Sequence, residues 1–339
     1  MSAATSPLGQ MRERIEIFHC PHCAGPLRAE PEVACTSCGR IYPIQDGIPC
    51  LYAPNDPEPE TEQLTQQVRA FYEETPFPNY EDLETIDDLM RKAEKGLFAR
   101  MLNDQIPFNS TVLEVGCGTG QLSNFLGIAQ RNMFGADMTL NSLKLANDFR
   151  RKNALYNVGF YQMNLYRPIF KPASFDMVLC NGVLCAVADS YRGFQSIAPL
   201  VKPGGHLLVG TYNTIGRLIT DFRRGLIKLF GERAMVLDPH LRNEKLGKKK
   251  KEAWLADQYR HPHESKHSFG QVLSWFENND FEFVYGIPSP KAFVAFREDR
   301  SMFEPQPAGN WLDHLIVQTE LMFKGSYEGG FFLMIGKRK

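Results

Sequence analysis

The sequence predicts an α/β fold: a sheet flanked by helices, with a small metal-stapled segment in front and a helical insertion late in the chain. Three observations carry this reading. An apolar run ending in an acid, Val112-Leu113-Glu114, meets glycines at 116, 118 and 120 and then a helix-like segment through Leu122 and Phe125. Strand-like and helix-like segments alternate between residues 106 and 212. Two C-x-x-C pairs, Cys20/Cys23 and Cys35/Cys38, stand eleven residues apart near the start.

Composition bounds the rest. The 339 residues suffice for one large domain and a small one. Hydrophobic content of 43% and charged content of 23% are ordinary globular values. A net charge of −1 gives no overall field toward nucleic acid or membrane. No apolar run reaches transmembrane length. The start, MSAATSPLGQMRER, lacks the apolar core of a secretory signal. Paired C-x-x-C units favour metal in a reducing compartment, so the expected location is cytoplasmic.

Residues 15–53 are expected to form a zinc ribbon. Each C-x-x-C turn places two thiolates on one side of a tight knuckle, and two knuckles complete a tetrahedron for Zn²⁺. The expected ligands are Cys20, Cys23, Cys35 and Cys38. Four thiolates close the site, so it is structural, and the metal supplies much of the folding energy of so short a segment. His19 and His22 are read as exposed bystanders, and Cys50 as a small apolar residue. Residues 54–63 are rich in Pro and acid and read as a linker. Residues 64–105 read as helices, one from Leu64 to Glu73 and one from Thr85 to Asn103, separated by FYEETPFPNY.

Residues 106–339 form the main domain. Glycine without a Cβ lets a ligand approach the backbone closely, and the following helix aims N–H groups at it. A second strand, Met133 to Ala136, ends in Asp137, 17 residues after Gly120. An acid there suits the two hydroxyls of a ribose. Val158 to Met163 is the third strand, ending at Asn164; Phe175 to Cys180 is the fourth, followed by Asn181-Gly182. Lys202-Pro203-Gly204-Gly205 turns into a fifth strand, His206 to Tyr212.

The pattern E-x-G-x-G-x-G resembles motif I of the class I S-adenosylmethionine (SAM) methyltransferases. The later strand ends fall at that family's intervals over residues 106–212. The resemblance implies a Rossmann-like seven-stranded sheet, a SAM cofactor and a methyl-transfer activity. It implies cofactor contacts from Glu114, Gly116, Cys117, Gly118, Gly120, Asp137, Met138, Asn164, Leu165, Cys180 and Asn181. Related enzymes often carry Asp where Asn164 stands, against the adenine amino group, and Asn keeps a carbonyl acceptor. Many small-molecule methyltransferases carry a histidine pair after the fourth strand. Here the sequence reads Leu184-Cys185-Ala186, so no base comes from that place. The front segment, with its tail Tyr42-Pro43-Ile44-x-Asp46-Gly47-Ile48-Pro49, resembles the zinc-ribbon activator proteins of methyltransferases. It is also similar to the ribbon heading some bacterial rRNA guanine methyltransferases.

Residues 213–268 exceed a simple connection and read as a lid-like helical insertion. Ile215, Leu218, Ile219, Phe222, Leu226 and Leu229 repeat at helical spacing, and the insertion holds 13 Lys/Arg against 7 Asp/Glu. Residues 54–94 are acidic, with 12 Asp/Glu against 3 Lys/Arg. The insertion suits RNA phosphates, an anionic membrane, or docking on that acidic front. Next come His261, His263, Glu264 and His267, in a stretch similar to one in bacterial methyltransferases. Pro262 bars a continuous helix through them, and Ser268-x-x-Gln271 reads as a capping box. Candidate general bases are His261, His263, Glu264 and Tyr72. A helix at 269–278, strands at 281–286 and 331–335, and a helix at 311–323 complete the chain; the family resemblance implies that the last two strands are antiparallel partners.

The expected function is SAM-dependent methyl transfer to a small-molecule or lipid-like acceptor. Two alternatives stand beside it: an RNA methyltransferase that reads its substrate through ribbon and insertion, and a non-catalytic SAM-binding scaffold.

Overall fold

The computed structural model describes residues 6–55, 59–78, 80, 83–231, 237–242, 247–323 and 329–339. Parts of the expected linker (56–58) and insertion (232–236, 243–246) lie outside them. The chain forms two compact units. The first holds residues 1–180, 191–208 and 337–339; the second holds 181–190 and 209–336.

In the first unit, helix α1 (Pro7–Glu13) starts at a Ser6 cap whose hydroxyl accepts from the Gly9 N–H. The ribbon follows: β1 (Leu27–Arg28), β2 (Val33–Cys35) and β3 (Ile41–Tyr42) form one antiparallel sheet, and β4 (Ile44–Gln45) pairs with β5 (Ile48–Pro49). Helix α2 (Pro59–Glu74) begins inside the expected linker, with Pro at a first-turn position that needs no N–H. The helix expected at 85–103 is two helices, α3 (Ile86–Glu94) and α4 (Leu97–Gln105), parted at Gly96, whose extended backbone interrupts the helical ladder.

Then come β6 (Thr111–Val115), α5 (Gln121–Ile128), β7 (Asn132–Asp137), α6 (Leu140–Lys152), β8 (Val158–Gln162), β9 (Phe175–Asn181), α7 (Ser190–Ile197) and β10 (Val201–Tyr212). β6 pairs in parallel with both β7 and β9, and β7 with β8. All five residues of β6 and of β8 are buried, as a parallel sheet covered on both faces requires.

The second unit carries α8 (Leu218–Phe230), α9 (Pro239–Arg242), α10 (Lys248–Leu255), a π-helical turn at Ala256–Arg260, α11 (Phe269–Glu277), β11 (Phe281–Ile287), α12 (Trp311–Phe323) and β12 (Phe331–Arg338). The expected capping box is present: Ser268 and Gln271 bond reciprocally at the start of α11. The large sheet has strand order β11-β12-β10-β9-β6-β7-β8. Chain order therefore reverses between β6 and β9, the switch point beside which open α/β sheets bind ligands. Among the described residues, no helix is long and apolar enough to cross a membrane.

Ribbon and parallel strands belong to one unit. Phe18 is wholly buried, with ring centroids 4.9 Å from Phe170 and 5.2 Å from Tyr161. The backbone pairs as well: His19 N–H donates to Ile169 O at 2.8 Å, Lys171 N–H to Ile17 O at 2.7 Å, and Leu51 N–H to Gln162 O at 3.0 Å. Gln10 donates to Met133 O and accepts from the Tyr161 hydroxyl. The ribbon thus extends the core of the parallel sheet at its β8 edge.

Candidate active site and metal centre

The four expected metal ligands converge. The sulfurs of Cys20, Cys23, Cys35 and Cys38 lie within 4.8 Å of one another, with Cys20–Cys38 at 3.8 Å and Cys23–Cys35 at 3.5 Å. A tetrahedron of thiolates about 2.3 Å from Zn²⁺ separates its sulfurs by about 3.8 Å, so the set fits zinc. The Cys38 N–H points at the Cys35 sulfur at 3.4 Å and the Tyr42 hydroxyl lies 2.9 Å from the Cys20 sulfur. Such bonds orient ligands and offset thiolate charge. Among the described residues this is the sole group of its kind, so the His-x-His stretch forms no second metal cluster. The neighbouring histidines are not exposed. His19 is half-buried with its ring Nε2 2.9 Å from Pro168 O, and His22 stacks on Tyr42.

The glycine turn lies at the carboxyl end of β6. Gly116, Gly118 and Gly120 all have left-handed φ, 66°, 52° and 68°. At Gly118 a Cβ would stand 2.4 Å from the Phe77 carbonyl oxygen, so no other residue fits there. Helix α5 then starts without a side-chain cap, leaving its first N–H groups to other partners. Glu114 supplies part of this need: its buried carboxylate accepts from the Ser123 hydroxyl and backbone. Burial pushes its pKa up to about 7, against the opposing pull of those bonds.

Asp137 ends β7 beside this turn. One carboxylate oxygen accepts from Gly118 N–H at 2.9 Å; the other accepts from Thr139 N–H at 2.8 Å and its hydroxyl at 2.7 Å. Burial raises its pKa, and the three hydrogen bonds oppose that shift. The acid is thus preset at the mouth of the glycine turn. Met138 is half-buried next to it, and Cys117 is buried inside the turn.

Several supporting residues gave no individual signal in the sequence. Within FYEETPFPNY, Glu73, Pro78 and Tyr80 contact the glycine turn and the helix start after β7. Glu73 accepts from the N–H groups of Leu140 and Asn141, both at 2.9 Å. Thr119 bonds the Pro78 carbonyl through its hydroxyl and accepts Tyr80 O–H at 2.8 Å through its own carbonyl. Asn124 in turn donates to the Tyr80 oxygen at 3.0 Å. This segment therefore lies on the glycine turn. Tyr72 packs edge-on against Phe71 at 5.1 Å, half-buried on α2.

Asn164 is 3% exposed, and its amide is engaged within the chain. Its NH₂ donates to Ala53 O at 2.8 Å and Asn55 Oδ1 at 2.7 Å, while its oxygen accepts from Tyr166 N–H at 3.0 Å. The carbonyl holds its own loop through that bond, and the amide anchors the chain leaving the ribbon. Leu165 is buried beside it, and Cys180 is fully buried on β9.

In the second unit, Asn181 Oδ1 is buried without a hydrogen-bond partner. Cys185 is a buried thiol bonding Gly182 O at 3.3 Å. The histidine stretch is organised around Glu264. Arg217, wholly buried, grips it bidentately at 3.1 and 2.6 Å, and Arg224 adds a 3.0 Å contact. Gln258 links Arg217 to the Tyr212 hydroxyl, and the guanidinium lies 3.8 Å over the Tyr212 ring. Burial alone would raise the Glu264 pKa; the two guanidiniums outweigh it and hold it at about 2. His261 Nδ1 lies within hydrogen-bond reach of both the carbonyl oxygen and the N–H of His263. The Nε2 of His263 is buried without a hydrogen-bond partner. His267 bonds the hydroxyls of Ser190 and Ser265, both at 3.1 Å, and burial pushes its pKa down to about 4.

Residues 108–257 match the family described as a methyltransferase domain, and residues 15–47 match the Trm112p-like protein family. An uncharacterized protein of Synechococcus sp. is 26% identical over 51% of this chain and 47% of its own length. A ubiquinone biosynthesis O-methyltransferase of Serratia proteamaculans is 33% identical over 31% of this chain and 44% of its own. The chain spans about half, or less, of the length of these curated relatives. Among solved structures, PKMT2 from Rickettsia typhi aligns at 15% identity with a TM-score of 0.50, over 72% of this chain and 52% of that one. Its complex with AdoHcy aligns with the same TM-score at 18% identity, over 71% and 52%. Likeness at that identity concerns the fold. The two family matches agree with the strand order and the four-cysteine centre: the chain contains a methyltransferase domain within residues 108–257, preceded by a Trm112p-like zinc ribbon at 15–47.

Proposed function

We propose that the protein transfers the methyl group of SAM to a small-molecule or lipid-like acceptor. The observation that carries methyl transfer is the bond between Asp137 and Gly118, which fixes an acid at the end of β7 against a turn of three left-handed glycines. In this reading Glu114, Gly116, Cys117, Gly118 and Gly120 cradle the cofactor, and Asp137 exchanges its Gly118 bond for the ribose hydroxyls. Met138, Asn164, Leu165, Cys180 and Asn181 border the cofactor, with Asn164 acting through the loop it holds. The sulfonium supplies an electrophilic methyl; the chain's part is to hold the acceptor in line at attack distance and to exclude water.

A weakly acidic acceptor also needs a proton removed. His263 is the favoured base, because its buried Nε2 makes no hydrogen bond to the protein. His261 orients it through the contacts of its Nδ1 with the His263 backbone. Glu264, ionised and held by two arginines, positions the loop. Tyr72, on α2, is the remaining candidate base. The acceptor class is supported by the relatives named ubiquinone biosynthesis O-methyltransferases, over the part of the chain they share.

A second reading, an RNA acceptor, is favoured by the insertion's 13 Lys/Arg against 7 Asp/Glu. One experiment separates the two. Purified protein is incubated with methyl-labelled SAM and extract from cells lacking the gene, and RNA, protein, lipid and small molecules are then separated. Label in the lipid or small-molecule fraction is expected. Label in RNA overturns the acceptor class, and bound SAM with no transfer overturns the enzymatic reading.

A further inference from the structure

Helix α8 is turned inside out. In a surface helix the apolar stripe normally faces the core and the polar side faces water. Here the polar side does the docking. Thr220 is buried, Arg224 reaches in to Glu264 and the Gln258 carbonyl, and Asp221 accepts from Lys266 at 2.6 Å. The apolar stripe points outward: Leu218 is 51% exposed, Phe222 68%, Leu229 77% and Phe230 62%. At 100° per residue, Leu218, Phe222 and Leu229 fall on one line and Phe230 on its border. Four large side chains held in water on one short helix are a cost that an apolar partner removes.

Charge identifies the partner. Arg223 flanks the stripe on one side, and the exposed Lys228 flanks it on the other. The insertion that contains the helix carries six more basic than acidic residues by the count above. A second copy of this chain is disfavoured, because a two-fold contact sets the same patch against itself and brings these cations together. A leucine- and phenylalanine-lined face bordered by Arg and Lys instead matches a helix lying in the headgroup region of a bilayer that contains anionic lipid.

We propose that α8 rests in the surface of an anionic membrane, with Leu218, Phe222, Leu229 and Phe230 at the acyl boundary and Arg223 and Lys228 at the lipid phosphates. The inference is independent of methyl transfer, and its test uses no cofactor. Full-length, zinc-loaded protein is floated with vesicles of phosphatidylcholine alone and of phosphatidylcholine mixed with phosphatidylglycerol. It is expected to float with the mixed vesicles and to lose most of that binding in high salt. The double variant Phe222→Ser, Leu229→Ser should bind about tenfold more weakly, whereas Phe222→Leu should bind like the parent. Both double-variant positions are exposed, so an unchanged thermal midpoint is expected, and lipid and salt dependence of the parent tests the idea without any substitution. Three results overturn it: no flotation of the parent with anionic vesicles; equal flotation of parent and double variant; or sedimentation showing a parent dimer that the double variant dissolves, which gives the face to a second copy.

Discussion

Glu73 caps a helix it does not belong to: from the last turn of α2 its carboxylate accepts from the Asn141 N–H, 68 residues on, and from the Leu140 N–H beside it. The natural cap of α6, Thr139, is not free for this role because its hydroxyl bonds Asp137. Thr139 therefore holds the acid, and Glu73 satisfies the helix start that Thr139 leaves open. Glu73→Ala should cost about 1 kcal/mol, the usual worth of a cap, in urea unfolding at neutral pH. It should also weaken SAM severalfold in a calorimetric titration, since the segment carrying Asp137 loosens. Unchanged affinity with lowered stability would confine Glu73 to the scaffold.

Asp137 itself should matter mainly to the cofactor. Replacing it with Ala removes a carboxylate that bonds Thr139 two residues on and the Gly118 N–H of the glycine turn. Hydrogen bonds to a charged group contribute about 1.5–3 kcal/mol each, so loss of the ribose contacts should weaken SAM by tenfold or more. Circular dichroism should show the same fold. Equal SAM affinity for parent and Asp137→Ala would remove the ribose assignment.

How far the sequence could be read depended on the range of the interactions involved. Local chemistry was legible. The glycine turn needs left-handed φ at fixed spacing, the four cysteines need knuckle spacing, and the Ser268–Gln271 capping box is written within one helical turn. Helix α12 likewise spans the expected 311–323. Long-range partners left no such mark. Nothing near Glu73 announces Leu140, and nothing near Asn164 announces Ala53, 111 residues earlier. The ribbon's spacing told of zinc but not that Phe18 would enter the aromatic cluster of Tyr161 and Phe170. Asn164 shows the same limit from the other side: its position matched the family pattern, while its bonding is set by the chain leaving the ribbon.

The merging of ribbon and sheet has a measurable consequence. Were the ribbon a separate bead, chelation would melt it and leave the methyltransferase domain untouched. Phe18 and the backbone bonds at Ile169, Lys171 and Gln162 tie the two together. Removing zinc with a chelator, or replacing Cys20 and Cys23 by Ser, should therefore lower the unfolding temperature of the parallel sheet, by a few degrees for each kcal/mol lost. SAM affinity should fall with it. A two-step melt with an unshifted second step would show the ribbon to be an independent domain.

The Arg217–Glu264–Arg224 cluster predicts the acid behaviour of the second unit. Glu264 is held at about 2, below its ordinary value of 4.5, despite burial. A depressed acid stabilises the fold fully above the unfolded pKa, and that contribution fades as pH falls through the folded pKa. The window is thus pH 4.5 down to about 2. A shift of this size corresponds to about 3 kcal/mol. At neutral pH Glu264→Gln should destabilise by about 3–5 kcal/mol, because two arginines, one fully buried, lose their shared counter-charge. Below pH 4.5 the parent should lose stability faster than the variant, and the two curves should converge near pH 2. Urea unfolding of both proteins across that window, followed by the fluorescence of Trp254 and Trp275 in the same unit, reads the difference. Parallel curves would mean that Glu264 is paired no more strongly in the folded chain than in the unfolded one.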